Sequence, residues 1–238
     1  MSIVYLTLFS QEGDMTDINQ RRSFLQNVTN DTFFENMKDV YTCIPGYVLT
    51  FDPDTQRAQI QLGITRTDDV AKTTFDPPPI VDVPVSFPGD DFVLEFAVNP
   101  GCEGMVHFSQ RCIDGWKQTG GIAVNPVKRF HHKQDAMFVP GIRSLDNLIA
   151  SFSNDGIRLR NADASQYVWL KGDNSITMGN GAGTMTLRAD GTFTINGARI
   201  TPDGRVYDVN NVELGGHTHA QGNDGNGDSE QETDPPTQ

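Results

Sequence analysis

Positive charge is scarce in this chain: 18 Lys and Arg stand against 31 Asp and Glu in 238 residues, a formal net charge of −13. Grip on nucleic acid needs clustered cations that displace counterions from phosphates, so this balance argues against nucleic acid as a partner. Long apolar runs are missing too. The longest, residues 3–9, falls far short of the ~20 residues that cross a bilayer as a helix, and it lacks the cationic flank of a secretory signal. Cysteine is sparse, and Cys43, Cys102 and Cys112 show no CxxC spacing. Three reduced, mostly buried thiols made in a cytosol are the expectation.

What the chain has in quantity is punctuation. Its 23 Gly and 13 Pro favour short strands and turns over long helices. Length alone allows one or two domains. Residues 1–40 read as an N-terminal arm with some helix: Thr32-Phe33-Phe34-Glu35 has capping-box spacing, and Phe34, Met37 and Tyr41 follow at helical intervals. That helix is expected to lie on the next domain, with a docking arm for another protein as the alternative.

Residues 41–145 read as β. Segments 46–51 and 57–64 flank Asp52-Pro53-Asp54-Thr55, a turn sequence. Ala58, Ile60, Leu62 and Ile64 alternate with Gln59, Gln61 and Gly63, as in a half-buried strand. Further strands are expected at 80–87, 92–98 and 104–109, and five short strands suit a small OB-like barrel. His131 and His132, being adjacent, would point opposite ways and are expected on the surface.

From residue 146 to 212 the texture changes. Asp-Gly turns at 155–156, 190–191 and 203–204 separate short alternating segments, and each segment carries one apolar stripe. Ile157/Leu159, Ile176/Met178, Met185/Leu187 and Phe193/Ile195 face one way, and polar residues face the other. So thin a sheet has exposed edges and little to bury alone. Three identical chains about an axis would join their stripes and pair their edges. A homotrimer is therefore inferred from this segment.

Residues 213–238 hold the one short motif suggestive of chemistry, Gly215-Gly216-His217-Thr218-His219. In extended chain, residues i and i+2 share a side, so His217 and His219 can offer two imidazoles to one metal. Two ligands leave a zinc site open. Three chains on an axis would bring six, an octahedral nitrogen set that favours iron or another octahedral transition metal. The bland alternative is a pair of exposed histidines. Beyond them, residues 221–238 carry five acids and no base, as a solvated tail or a loop folded back over the trimer's end.

At these residues the chain resembles the central membrane-piercing spike of contractile-tailed bacteriophages. Residues 42–48 followed by a hairpin look like the start of that family's N-terminal OB-fold. Residues 81–89 and 112–116 resemble landmarks of its short-spike branch, and the terminal His-Thr-His resembles its apex motif. The resemblance implies an all-β fold: an OB-fold barrel followed by an intertwined trimeric β-helix with a metal-pinned apex. It implies that His217 and His219 of three chains hold one iron, with calcium a further possibility in the apex. It also implies a structural virion protein at the tail baseplate tip, assembled in the host cytoplasm. There it would contact hub and tail-tube proteins through its N-terminal region and meet the host outer membrane on infection. About seven stacked strands would give a shaft of roughly 35 Å, comparable to a bilayer. Such a protein is not an enzyme. The alternative, a cell-wall or polysaccharide hydrolase, needs two carboxylates held ~5–9.5 Å apart in a cleft, a pair that only a structure can show.

Overall fold

A computed structural model describes residues 15–68 and 71–219, with side chains from residue 22 onward. Among the described residues strand predominates over helix, which makes the fold all-β. Two compact units divide after Asn147.

The first unit opens with helix α1, Met15–Met37. Thr32 therefore sits inside the helix rather than at its start, and its hydroxyl donates to the Val28 carbonyl at 2.8 Å. The capping-box reading fails because the helix begins well upstream, where Thr and Asn are tolerated inside it. Nor does the helix lie on the barrel: every side chain from Arg22 to Met37 is exposed.

Seven strands follow: β1 Cys43–Asp52, β2 Arg57–Leu62, β3 Arg66–Asp68, β4 Thr73–Phe75, β5 Ile80–Pro84, β6 Glu103–Phe108 and β7 Ala136–Pro140. β3 and β4 form a separate exposed hairpin. The other five make an antiparallel sheet in the order β5-β2-β1-β6-β7. The sheet curls into a half-barrel, and its two edges approach at a parallel bridge between Val85 and Phe138. Alternation explains the curl. Ala58, Ile60 and Leu62 point inward from β2 to meet Val48, Val83, Val106 and Phe138, all buried. Ile64 lies past the end of β2 and is exposed. Gly104 is required beneath Phe138, since a Cβ there would come within 2.6 Å of the ring.

The expected strand at 92–98 does not form. Instead Val93 makes a lone bridge to Gly89, and Leu94 N–H donates to the Pro88 carbonyl at 2.9 Å. The ladder position it would need is filled by β7, whose Phe138 closes the sheet. A short helix, α2, Asp114–Thr119, lies in the connection from β6 to β7. His131 is half-buried, with Nδ1 3.2 Å from the Tyr41 carbonyl oxygen, and His132 is half-buried too. All three cysteines are free, but only Cys112 is buried, because Cys43 sits exposed at the start of β1.

The second unit is one antiparallel meander: β8 Ile157–Arg160, β9 Tyr167–Leu170, β10 Ile176–Gly179, β11 Thr184–Leu187, β12 Phe193–Ile195, β13 Ala198–Ile200 and β14 Val206–Tyr207. Each strand pairs with its sequence neighbour, so the edge pairing expected between chains lies, in these seven strands, within one chain. Short Asx turns make this possible. Carboxylates of Asp163, Asp173, Asp190 and Asp208 accept the backbone N–H two residues on, at 2.8–2.9 Å. Gly156, Gly191 and Gly204 supply positive φ after Asp155, Asp190 and Asp203.

The register sorts the sheet into two unlike faces. Ile157, Leu170, Ile176, Leu187, Phe193, Ile200 and Val206 stand opposite one another in one unbroken row across all seven strands. Two residues along, Leu159, Val168, Met178, Met185, Ile195 and Ala198 form a second row on the same face. The opposite face carries Arg158, Trp169, Thr177, Thr186, Thr194, Arg199 and Tyr207 in register. Cations cover its aromatics: Arg158 and Lys171 each lie 4.8 Å from the Trp169 ring, and Arg199 lies 4.1 Å from that of Tyr207.

Candidate functional site

The histidine motif follows the last rung of the meander. After β14 the chain reverses at 208–212, where the Asp208 carboxylate accepts N–H from Asn210 at 2.9 Å and Val212 at 2.7 Å. Glu213 then bridges to Tyr207, and Leu214 N–H donates to the Val206 carbonyl at 2.9 Å. Arg205 braces the return, with ion pairs to Asp203 at 3.1 Å and Glu213 at 3.5 Å. This extra rung sets the place from which Gly215 and Gly216 lead to the histidines.

His217 is half-buried and His219 exposed. Their ring centroids are 4.8 Å apart with the planes at 84°. Nδ1 of His217 lies 3.0 Å from the Leu214 carbonyl oxygen. A backbone carbonyl can only accept, so this contact selects the Nδ1–H tautomer and leaves Nε2 as the lone-pair donor, the usual arrangement behind a ligating imidazole. No local pattern marks the Leu214 carbonyl as a partner of His217. Two neighbouring imidazoles from one chain are fewer ligands than a closed metal site takes. Asp224, Asn226, Asp228 and Glu230, which alternate but lack the Gly and terminal Glu of an EF-hand loop, lie outside the described residues.

Among the described residues, one trio of metal-type ligands comes together: Cys112, Asp114 and Asp135. Sequence reasoning did not find it. Its centre is already occupied by a cation, since Arg129 Nη2 donates to Cys112 Sγ at 3.2 Å, Asp114 at 2.7 Å and Asp135 at 2.9 Å, and Nε donates to Asp135 at 3.1 Å. Asp135 is fully buried and also accepts the Ile113 N–H at 3.0 Å. Burial alone would push its carboxyl up, but the guanidinium and the amide outweigh that and hold it below the usual carboxylate range. The Asp135 partner in turn raises Arg129. The cage is a structural clamp on the long β6–β7 connection, with no vacancy for a metal.

No curated protein matches the chain. Residues 44–141, which span the curled five-stranded sheet and its buried core, match the family described as the phage protein Gp138 N-terminal domain, and that match supports a phage structural protein.

Proposed function

We propose that this protein is the homotrimeric central spike at the tip of a contractile phage tail, an OB-fold barrel carrying a three-sided β-shaft that pierces the host outer membrane. The phage-domain match supports the virion role. The single observation that carries the trimer is the two-row apolar face of the meander. Ten of its side chains, from Ile157 at 68% to Ile176 at 36%, are exposed in the isolated chain.

Size and energy argue for covering this face with copies of itself. Strands of two to four residues make a strip only about 13 Å wide, and seven of them stack to roughly 29 Å. Finishing the burial of thirteen apolar side chains that are already about half covered gives on the order of 10 kcal/mol per chain. That competes well with the ~4–15 kcal/mol that association costs. Three strips closed about an axis bury both rows and leave the polar, cation-capped face outside. Three such meanders, each folded back on itself, would stand where the resemblance implies an intertwined β-helix.

The same three-fold arrangement supplies the ligands that one chain lacks. His217 and His219 of three chains would hold one iron, with Leu214 orienting His217 through Nδ1. When bound, the iron supplies a crosslink among the three C-terminal segments and has no catalytic task. The hub and tail tube would meet the N-terminal unit. Elemental analysis of purified trimer and of the His217→Ala/His219→Ala variant tests the reading. One iron per three chains is expected in the first and none in the second. A trimer whose metal content is unchanged by the double substitution would remove the histidine site.

A further inference from the structure

We infer that helix α1 is an assembly element in which each copy's helix is sandwiched between the helices of two neighbouring copies, through two different patches in head-to-tail contact. The inference rests on the homotrimer proposed above and goes beyond its shaft.

The observation is the arrangement of apolar residues on α1. Phe24, Leu25 and Val28, each 45–67% exposed, occupy the middle of the helix, and Phe33, Phe34 and Met37, each 48–63% exposed, occupy its last turns. At 3.6 residues per turn the two sets are centred about 180° apart. Within each set the residues meet at i+3 and i+4 spacing, as in Phe24/Val28 and Phe33/Met37. Phe33 and Phe34 also pack edge to face with centroids 5.8 Å apart. Polar Thr29, Asn30, Asp31 and Thr32 separate the patches, with Thr29 and Thr32 hydroxyls turned back onto the carbonyls of Leu25 and Val28.

Two patches on opposite sides exclude a single flat partner. A helix lying on its own barrel, or on one face of another protein, would cover one patch and leave the other wet. A ring of identical chains solves this with one sequence, because the first patch of each copy can meet the second patch of the next. That is a heterologous contact closed by rotation. Charge permits it, since Arg22 and Lys38 balance Asp31 and Glu35 over this stretch. Stability asks for it. A lone helix rich in Thr, Asn and Phe is marginal in water and draws its stability from packing.

Hydrogen exchange read by mass spectrometry on the full chain, alongside sedimentation, tests the inference. Wild-type trimer should protect the amides of 24–37 well above the level of an unpacked helix. Two variants, Phe24→Ala/Leu25→Ala/Val28→Ala and Phe33→Ala/Phe34→Ala/Met37→Ala, should each lower that protection at least ~10-fold along the whole helix while the shaft keeps the protein trimeric. Alanine raises intrinsic helix propensity, so an isolated helix would respond in the opposite direction. Three results would overturn the inference and leave the trimer standing: an unprotected α1 in wild-type trimer, protection unchanged by both variants, or protection sensitive to only one. A wild-type monomer would overturn both the inference and the shaft reading.

Discussion

Asp135 and Phe138 lie in the same short stretch and are both fully buried, yet they hold the barrel by different means. Phe138 fills the space beside Gly104 and closes the sheet against Val85. Phe138→Ala should lower unfolding free energy by about 3–5 kcal/mol, measured by urea titration, because it leaves a cavity in the centre of the core. Asp135→Ala removes one partner of a buried ion pair and leaves Arg129 half-satisfied, a change of about 3–5 kcal/mol in other proteins. The residue-level alternation that predicted Ala58, Ile60 and Leu62 inside was legible in the sequence. The Arg129 clamp was not, because its partners lie 6, 15 and 17 positions away and no local pattern joins them. At the motif, His217 and His219 were legible as an i, i+2 pair. The carbonyl that fixes the tautomer of His217 depends on a chain reversal visible only in three dimensions.

Among the elements, the strands that alternate openly, β8, β10, β11 and β12, could be read directly. β9 hid its period, since Tyr167-Val168-Trp169-Leu170 is apolar or aromatic throughout and only the cations over Trp169 reveal which face is wet. β13 and β14 are too short to show a period. Residues 92–98 are apolar enough to suggest a strand, but the five-stranded ladder is complete without them. The sheet's two faces give a paired test. Leu187→Lys places a charge in the apolar row and should convert the assembly to smaller species by sedimentation. Thr186→Lys, one residue away on the other face, should leave the trimer intact. The turns give a pH test. Asp163, Asp190 and Asp208 are held below the ordinary carboxylate value by backbone amides, chiefly those of Ser165, Thr192 and Val212, and Asp173 and Asp203 by the hydroxyls of Ser175 and Thr201. Since folding lowers these values, their contribution is complete above the unfolded value of 3.8 and is lost as pH falls through the folded ones. The thermal midpoint of the shaft should therefore hold steady from pH 7 to about 5 and drop below about pH 4.

For the whole molecule, the modest apolar content and the large exposed apolar face are two aspects of one arrangement. The N-terminal unit has a closed core of its own, with twelve buried apolar residues. The meander has no buried apolar residue among those described, because its aliphatic strand residues stand in two rows on one side of a single layer. Such a layer has one face left to cover, which three copies about an axis would do in the proposed trimer. Sequence patterning could reveal the one-sided stripe, but the unbroken alignment of two rows over six pairings depends on turn lengths that set the register. The most direct test is the mass of the intact protein by native mass spectrometry. The proposed spike should appear as a single species with the mass of three 26.2 kDa chains and one iron. A metal-free species with the mass of one chain would contradict it.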